Sequence, residues 1–212
     1  MERPSESLMA EARRESLQLA KLLGYSTNPT LPLLDVTTFT RSPSEVAARA
    51  LVLHACCAVS YGFSLVLARA WLTKNELMDH ASPEERRFLS GGSSGEPFKL
   101  RPEAIWAFSW VLEKTDTFAV HLPMPQDAVA ALPNLKKGEG ADAWISSSGV
   151  RDSVTVLKAL DFYYCAHWAL RDAGSHSRAE PTTLPAYAVV ERRRALEWCF
   201  GSDDWDYVSL DT

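Results

Sequence analysis

The chain lacks the cysteine arrangements that staple a fold or hold a metal. It has four cysteines: Cys56 and Cys57 are adjacent, Cys165 and Cys199 stand alone, and no Cys-x-x-Cys pair occurs. Neighbouring residues on a helix point about 100° apart, too divergent for a disulfide or a paired ligand set. Free cysteine in apolar helical surroundings behaves as a small hydrophobe, so the set implies a reducing compartment. No His-x-x-x-His or His-Glu pattern is present either, and neither a metal nor a cofactor is expected. Positive charge is also scarce, with 22 Lys and Arg against 27 Asp and Glu for a net charge of -5. A nucleic-acid surface would need a basic stripe that this balance does not supply.

Long apolar runs are missing as well. The stretch 50–60 falls well short of the roughly 20 residues that span a bilayer. The opening MERPSESLMAEARRES mixes acids and bases with no apolar centre, so no secretory leader is read and a cytoplasmic location is expected. Ser93-Ser94-Gly95 and Ser146-Ser147-Ser148-Gly149 lack the lysine or the strand-to-helix setting of a phosphate loop or a nucleophile elbow, and read as linkers. No alternating β-branched run is long enough for a strand, and no solenoid repeat is found.

What remains is ordinary globular material. Hydrophobic residues make up 46% and charged ones 23%, which suits one domain over residues 1–212 with a real core. The expected fold class is all-α: a compact multi-helix domain with an extended, docked C-terminal tail. Any β element should be minor and confined to 25–40 or 118–148. The chain divides into an N-terminal helix and loop (1–40), core helices (41–117), an irregular connector (118–148), and a late helix pair with tail (149–212). An amphipathic helix over 5–23 carries Leu8, Ala12, Leu19 and Leu23 on one side. Ser42-Pro43-Ser44-Glu45 and Ser82-Pro83-Glu84-Glu85 are capping boxes with proline at the first helical position. The helix opened by the first, to about Tyr61, and another over 101–115 are apolar on all sides and should be central. A further helix runs over 65–77. In the connector, prolines and glycines allow at most a short helix at 127–132. Two long helices follow, roughly 150–173 and 184–200. Trp71, Trp106, Trp110 and Trp144 read as core, and His54 as a satisfied core histidine.

The late helices hold the candidate site. Asp161 lies at the centre of the stripe Val150, Val154, Leu157, Tyr164 and Trp168. Glu191 lies at the centre of the stripe Leu184, Tyr187, Ala188, Ala195 and Trp198. A carboxylate on a buried face is costly unless paired. Arg192, Arg193 and Arg194 are close at hand, with Arg151 and Arg171 on the other helix and Tyr164 and His167 near Asp161. The bland reading is two helices locked by buried acid–arginine bonds. The sharp one is a polar pocket in which Asp161 and Glu191 act as a catalytic pair and His167 carries protons. Beyond Gly201 the tail carries Trp205, Tyr207, Val208 and Leu210 among acids, too apolar for a mere solubilising arm. It should lie over a groove with Trp205, Val208 and Leu210 as anchors, and Asp206 and Asp211 meeting arginines of 192–194.

The segments RSPSEVAARALVLHA, RPEAIWAFSWVLE, LKALDFYYCAHWALRDA and VVERRRALEWCFGSDDWDYVSLDT resemble, in order and spacing, the domain-of-unknown-function family 4272. The resemblance runs from about Arg41 to Thr212, and the tail is its most specific part. Matching positions are Asp161, Tyr164, His167, Trp168, Glu191, Arg192, Ala195, Leu196, Trp198, Trp205, Asp206, Asp211 and Thr212. Cys165, Arg193 and Glu197 stand where the family pattern has Arg, His and Asn, and Tyr207 replaces an acid. The resemblance implies a helical fold and transfers no activity. The expected function is therefore non-enzymatic protein binding in the cytoplasm, best matched by a bacterial immunity protein that neutralises a basic toxin. The alternative is an enzyme of hydrolase type built on Asp161, His167 and Glu191. Dry, arginine-paired carboxylates favour the first and a wet concave cleft the second.

Overall fold

Two serine caps set the frame. In the computed structural model, which describes residues 6–34, 38–177, 184–201 and 203–212, the Ser42 hydroxyl accepts from the Glu45 N–H. The Glu45 carboxylate in turn accepts from the Ser42 N–H at 2.8 Å, opening α2 (Pro43–Ser60). Ser82 and Glu85 repeat the reciprocal pair to open α4 (Pro83–Leu89). Each box satisfies two donors that a helix start otherwise leaves orphaned, and proline sits where no N–H is needed. The remaining helices are α1 (Glu6–Leu22), α3 (Leu65–Lys74), α5 (Pro102–Val111), α6 (Asp142–Ser146), α7 (Ser153–Ser175) and α8 (Ala186–Phe200).

The helices pack in a chain of neighbours: α1 on α7, α7 on α8, α8 on α5 and α5 on α2, with α3, α4 and α6 also against α2. The two all-round apolar helices are central as expected. Every α5 residue from Glu103 to Val111 is buried, and so is α2 from Val46 to Cys57 except His54. Burying each large apolar side chain contributes about 1.5–3 kcal/mol, so these two helices carry much of the core. His54 is half-buried against the Pro133 carbonyl at 3.0 Å. Trp71, Trp106, Trp110 and Trp144 are all buried, as are the four cysteines, which are free. No helix among the described residues is long and apolar enough to cross a membrane.

The structure departs from the sequence reading in several places. Among the described residues there is no strand, so the minor β element is not found there; residues 35–37 of the 25–40 segment lie outside the described residues. The connector is more ordered than its prolines suggest. It forms 3-10 turns at Ala128–Ala131 and Leu135–Lys137, then α6, where the buried Trp144 indole donates to the Ala131 carbonyl at 3.0 Å. Phe118 stacks on Trp110 with ring centroids 4.6 Å apart. These contacts are tertiary and leave no periodic signal. The stretch after Gly92 is likewise more than a linker, because a 3-10 turn at Glu96–Leu100 buries Phe98 on Phe88 at 4.5 Å. The last helix starts at Ala186 rather than at 184, with Pro185 in extended backbone, and Tyr187 of the expected stripe is exposed. The expected loop 174–183 loses Gly174 and Ser175 to α7, and its residues 178–183 lie outside the described residues.

Candidate functional site

Asp161 is fully buried on α7, and its partner comes from the other end of the chain. Arg13 of α1 donates from Nη2 to Oδ1 at 2.8 Å and from Nε to Oδ2 at 3.1 Å. The same guanidinium donates to the carbonyls of Leu31 at 2.7 Å and Pro32 at 3.0 Å, tying down the loop after α1. Burial alone would lower the Arg13 pKa, but the bond to Asp161 and its charge hold it above the ordinary value. None of the arginines expected at Asp161 pairs with it. Arg151 instead donates to the carbonyls of Trp110 and Thr115, and Arg171 is exposed.

Glu191 of α8 is buried too. It accepts from Arg101 Nη1 at 2.6 Å, while Arg194 Nε lies 3.7 Å away. Its neighbour Arg192 turns to a different acid: Nε donates to Glu103 at 2.8 Å, Nη1 to the Tyr163 hydroxyl at 3.0 Å and Nη2 to the Leu122 carbonyl at 2.9 Å. Through that last bond a buried helix holds the connector.

His167 belongs to a third cluster. Its Nδ1 accepts from Arg193 Nη1 at 2.8 Å. A guanidinium can only donate, so the neutral ring carries its proton on Nε2. Arg193 also pairs with Glu197 at 3.1 Å, so two of the three polar positions on α7 and α8 that depart from the resembled family pattern bind each other. The third, Cys165, is buried with Sγ 4.0 Å from Asp161 Oδ2. The Tyr164 ring links the clusters, with Arg13 5.4 Å and Arg193 4.8 Å from its centroid. Among the described residues Asp161, His167 and Glu191 share no hydrogen bond, each being held by a different arginine.

Burial, reinforced by the charges of Arg193, Arg171 and Arg194, pushes the His167 pKa down to about 4, from an ordinary value near 6.5. The unfolded chain therefore takes up this proton first. Stability should fall as the pH drops from about 6.5 to about 4, by at most about 3 kcal/mol, and the contribution should level off below that. Unfolding midpoints measured across this range check it. His167→Gln, whose amide oxygen can still accept from Arg193, should be less sensitive to pH between those limits. An identical pH profile in the two proteins would refute the assignment.

The tail docks through one buried aromatic. Trp205 starts a 3-10 turn (Trp205–Tyr207) and is 3% exposed. The guanidinium carbons of Arg49, Arg101 and Arg194 lie 5.5, 5.4 and 6.0 Å from its ring centroid, and the Phe108 ring lies 5.7 Å away. Among the described residues the Nε atoms of those three arginines have no hydrogen-bond partner. The indole face offers a cation–π contact in exchange. The expected extended segment is thus a turn followed by extended chain in which Val208 and Leu210 are half-buried and Ser209 exposed. Among the described residues Asp206 forms no ion pair with an arginine. It accepts from the Ser82 hydroxyl at 2.6 Å and the Glu84 N–H at 2.9 Å, serving the start of α4. Asp211 meets Arg193 through its backbone carbonyl at 2.9 Å, next to the Leu210 carbonyl at 3.1 Å; its carboxylate accepts from Ser209 instead.

Sequence reasoning missed Arg13, Arg49, Glu85, Arg101 and Glu103 as members of the polar network. One signal was available for Arg49 and Glu103, each the one Asp, Glu, Lys or Arg within the apolar stretches 46–57 and 103–111, which burial obliges to find a partner. Among the described residues no three His, Cys, Asp or Glu side chains gather as a metal site. A family model described as Domain of unknown function (DUF4272) matches residues 12–208. No curated protein and no solved structure matches the chain.

Proposed function

The chain belongs to the DUF4272 family, whose description assigns no activity, and we propose from its tail face that it works by binding another protein. The observation that carries this reading is Tyr207. It is 71% exposed, yet sits in the same turn as the deeply buried Trp205, so an aromatic side chain is displayed on a backbone fixed from beneath. Exposed acids Asp203, Asp204 and Asp211 flank it in sequence. A fixed tyrosine among acids has the composition of an interface hot spot, and the negative rim would speed encounter with a basic partner. In the interior, Asp161, Glu191 and Glu103 are occupied by arginines, which supports looking for recognition on the surface. A cytoplasmic immunity protein that neutralises a basic bacterial toxin fits this surface best.

Co-expression with a toxin encoded beside this gene tests the proposal. Growth should be rescued. Tyr207→Ala should weaken the complex by about 2 kcal/mol, roughly thirtyfold, without moving the melting temperature. Failure of the intact protein to rescue growth or to bind that toxin would remove the immunity reading.

A further inference from the structure

Beside the docked tail lies a cleft of about 350 Å³ whose lining includes Arg41, Arg49 and Arg86 with Trp198 and Trp205, and the exposed acids Asp79 and Asp204 at its edge. The three guanidiniums are anchored by backbone carbonyls from separate segments. Arg41 donates to the carbonyls of Asp203 at 2.7 Å and Trp198 at 3.4 Å. Arg86 donates to those of Ala81 at 2.8 Å and Asp79 at 3.0 Å. Arg49 donates to that of His80 at 3.1 Å and is neutralised by the buried carboxylate of Glu85.

Carbonyls fix a guanidinium without cancelling its charge. Arg41 is half-buried and its guanidinium carbon lies 4.6 Å from the Trp198 ring centroid. Among the described residues it has no carboxylate within 4.0 Å, and its Nη1 makes no hydrogen bond. Arg86 Nη1 is also without a bond, and the acid nearest that side chain, Asp79, is 3.9 Å away and 99% exposed. Two carbonyl-anchored guanidiniums therefore each keep an unbonded Nη1, and both side chains line one cleft. Arginine forks of this kind match the planar or tetrahedral oxygens of carboxylate and phosphate, and their fixed placement removes ordering cost from binding. The volume lies at the small end of ligand sites, which suits a small molecule rather than a polymer.

We propose that this cleft is an oxyanion-binding site, taking the carboxylate or phosphate group of a small molecule between Arg41 and Arg86 above the Arg49–Glu85 pair. The site does not depend on the protein partner proposed above. Because Trp198 and Trp205 line the cleft, occupancy is readable in intrinsic tryptophan fluorescence. The intact protein is titrated with inorganic phosphate and, separately, with citrate, at constant ionic strength balanced with sodium chloride. A saturable change in the millimolar range with at least one of them is expected; phosphate alone assigns a phosphate ligand and citrate alone a carboxylate one. Arg41→Gln should weaken binding roughly tenfold, the size of one lost charged hydrogen bond. The half-exposed Arg86→Gln supplies the same test at a position outside the core. Arg87→Gln, on the same helix but outside the cleft lining, should bind as the parent does. No saturation with either anion, or unchanged binding in both the Arg41 and Arg86 variants, overturns the site.

Discussion

Asp161→Ala should cost about 3–5 kcal/mol, because it leaves the Arg13 guanidinium buried with its charge unmatched. That is a large share of the roughly 5–15 kcal/mol that keeps a domain folded, and for this length it should lower the melting temperature by roughly 10 °C. The loss reaches beyond the ion pair. Arg13 also holds the Leu31 and Pro32 carbonyls, so a guanidinium seeking water would release the loop that follows α1. Arg13→Ala should cost a similar amount, and a double replacement by apolar residues of similar volume should recover part of it, since exchanging a whole buried pair is often tolerated where removing one member is not. Denaturant unfolding of the singles and the double measures the coupling. If Asp161→Ala melted with the parent while an activity vanished, the acid would be catalytic and its structural role refuted.

Trp205→Ala should be next, at about 3–5 kcal/mol. The cavity it leaves is lined by the cations of Arg49, Arg101 and Arg194, whose ion pairs among the described residues are with Glu85 and Glu191. A hole among charges is worse than one among methyl groups, because the charges lose both a packing surface and the π-face that substituted for hydrogen bonds. Tyr207→Ala, two residues on and exposed, should change stability by no more than about 0.5 kcal/mol. Removing residues 202–212 should destabilise at least as much as Trp205→Ala. An unchanged melting temperature after that deletion would show that the tail carries no part of the fold.

The parts legible in the sequence are those written locally. Ser42 with Glu45 and Ser82 with Glu85 announce helix starts within four residues, and the apolar character of 46–57 and 103–111 identifies the central pair. Asp161 and Glu191 betray their burial by sitting at stripe centres. Their partners do not betray themselves. Arg13 stands 148 residues from Asp161, and Arg192 stands 89 residues from Glu103. Pairing over such separations is decided by how helices stack, and no spacing rule encodes it. Asp206 shows the same limit. Its match to a family pattern marks it as worth attention, but only the arrival of α4 shows that it serves a helix start 124 residues earlier in the chain. The connector failed to read as structured because carbonyls of residues such as Leu122 are captured by a distant arginine, and a carbonyl has no sequence.

That long reach between Ser82 and Asp206 has a consequence for synthesis. Ribosomes add about 5–20 residues per second, so after Ser82 emerges, the carboxylate it bonds appears only some 6–25 s later. Through that interval α2 and α4 have their own serine boxes in place, but the Arg49 site has no indole to close it. Helix–coil relaxation takes about a microsecond or less, so the nascent chain waits with the Arg49–Glu85 pair uncovered rather than racing to cover it. Slow codons between residues 90 and 200 would lengthen that interval.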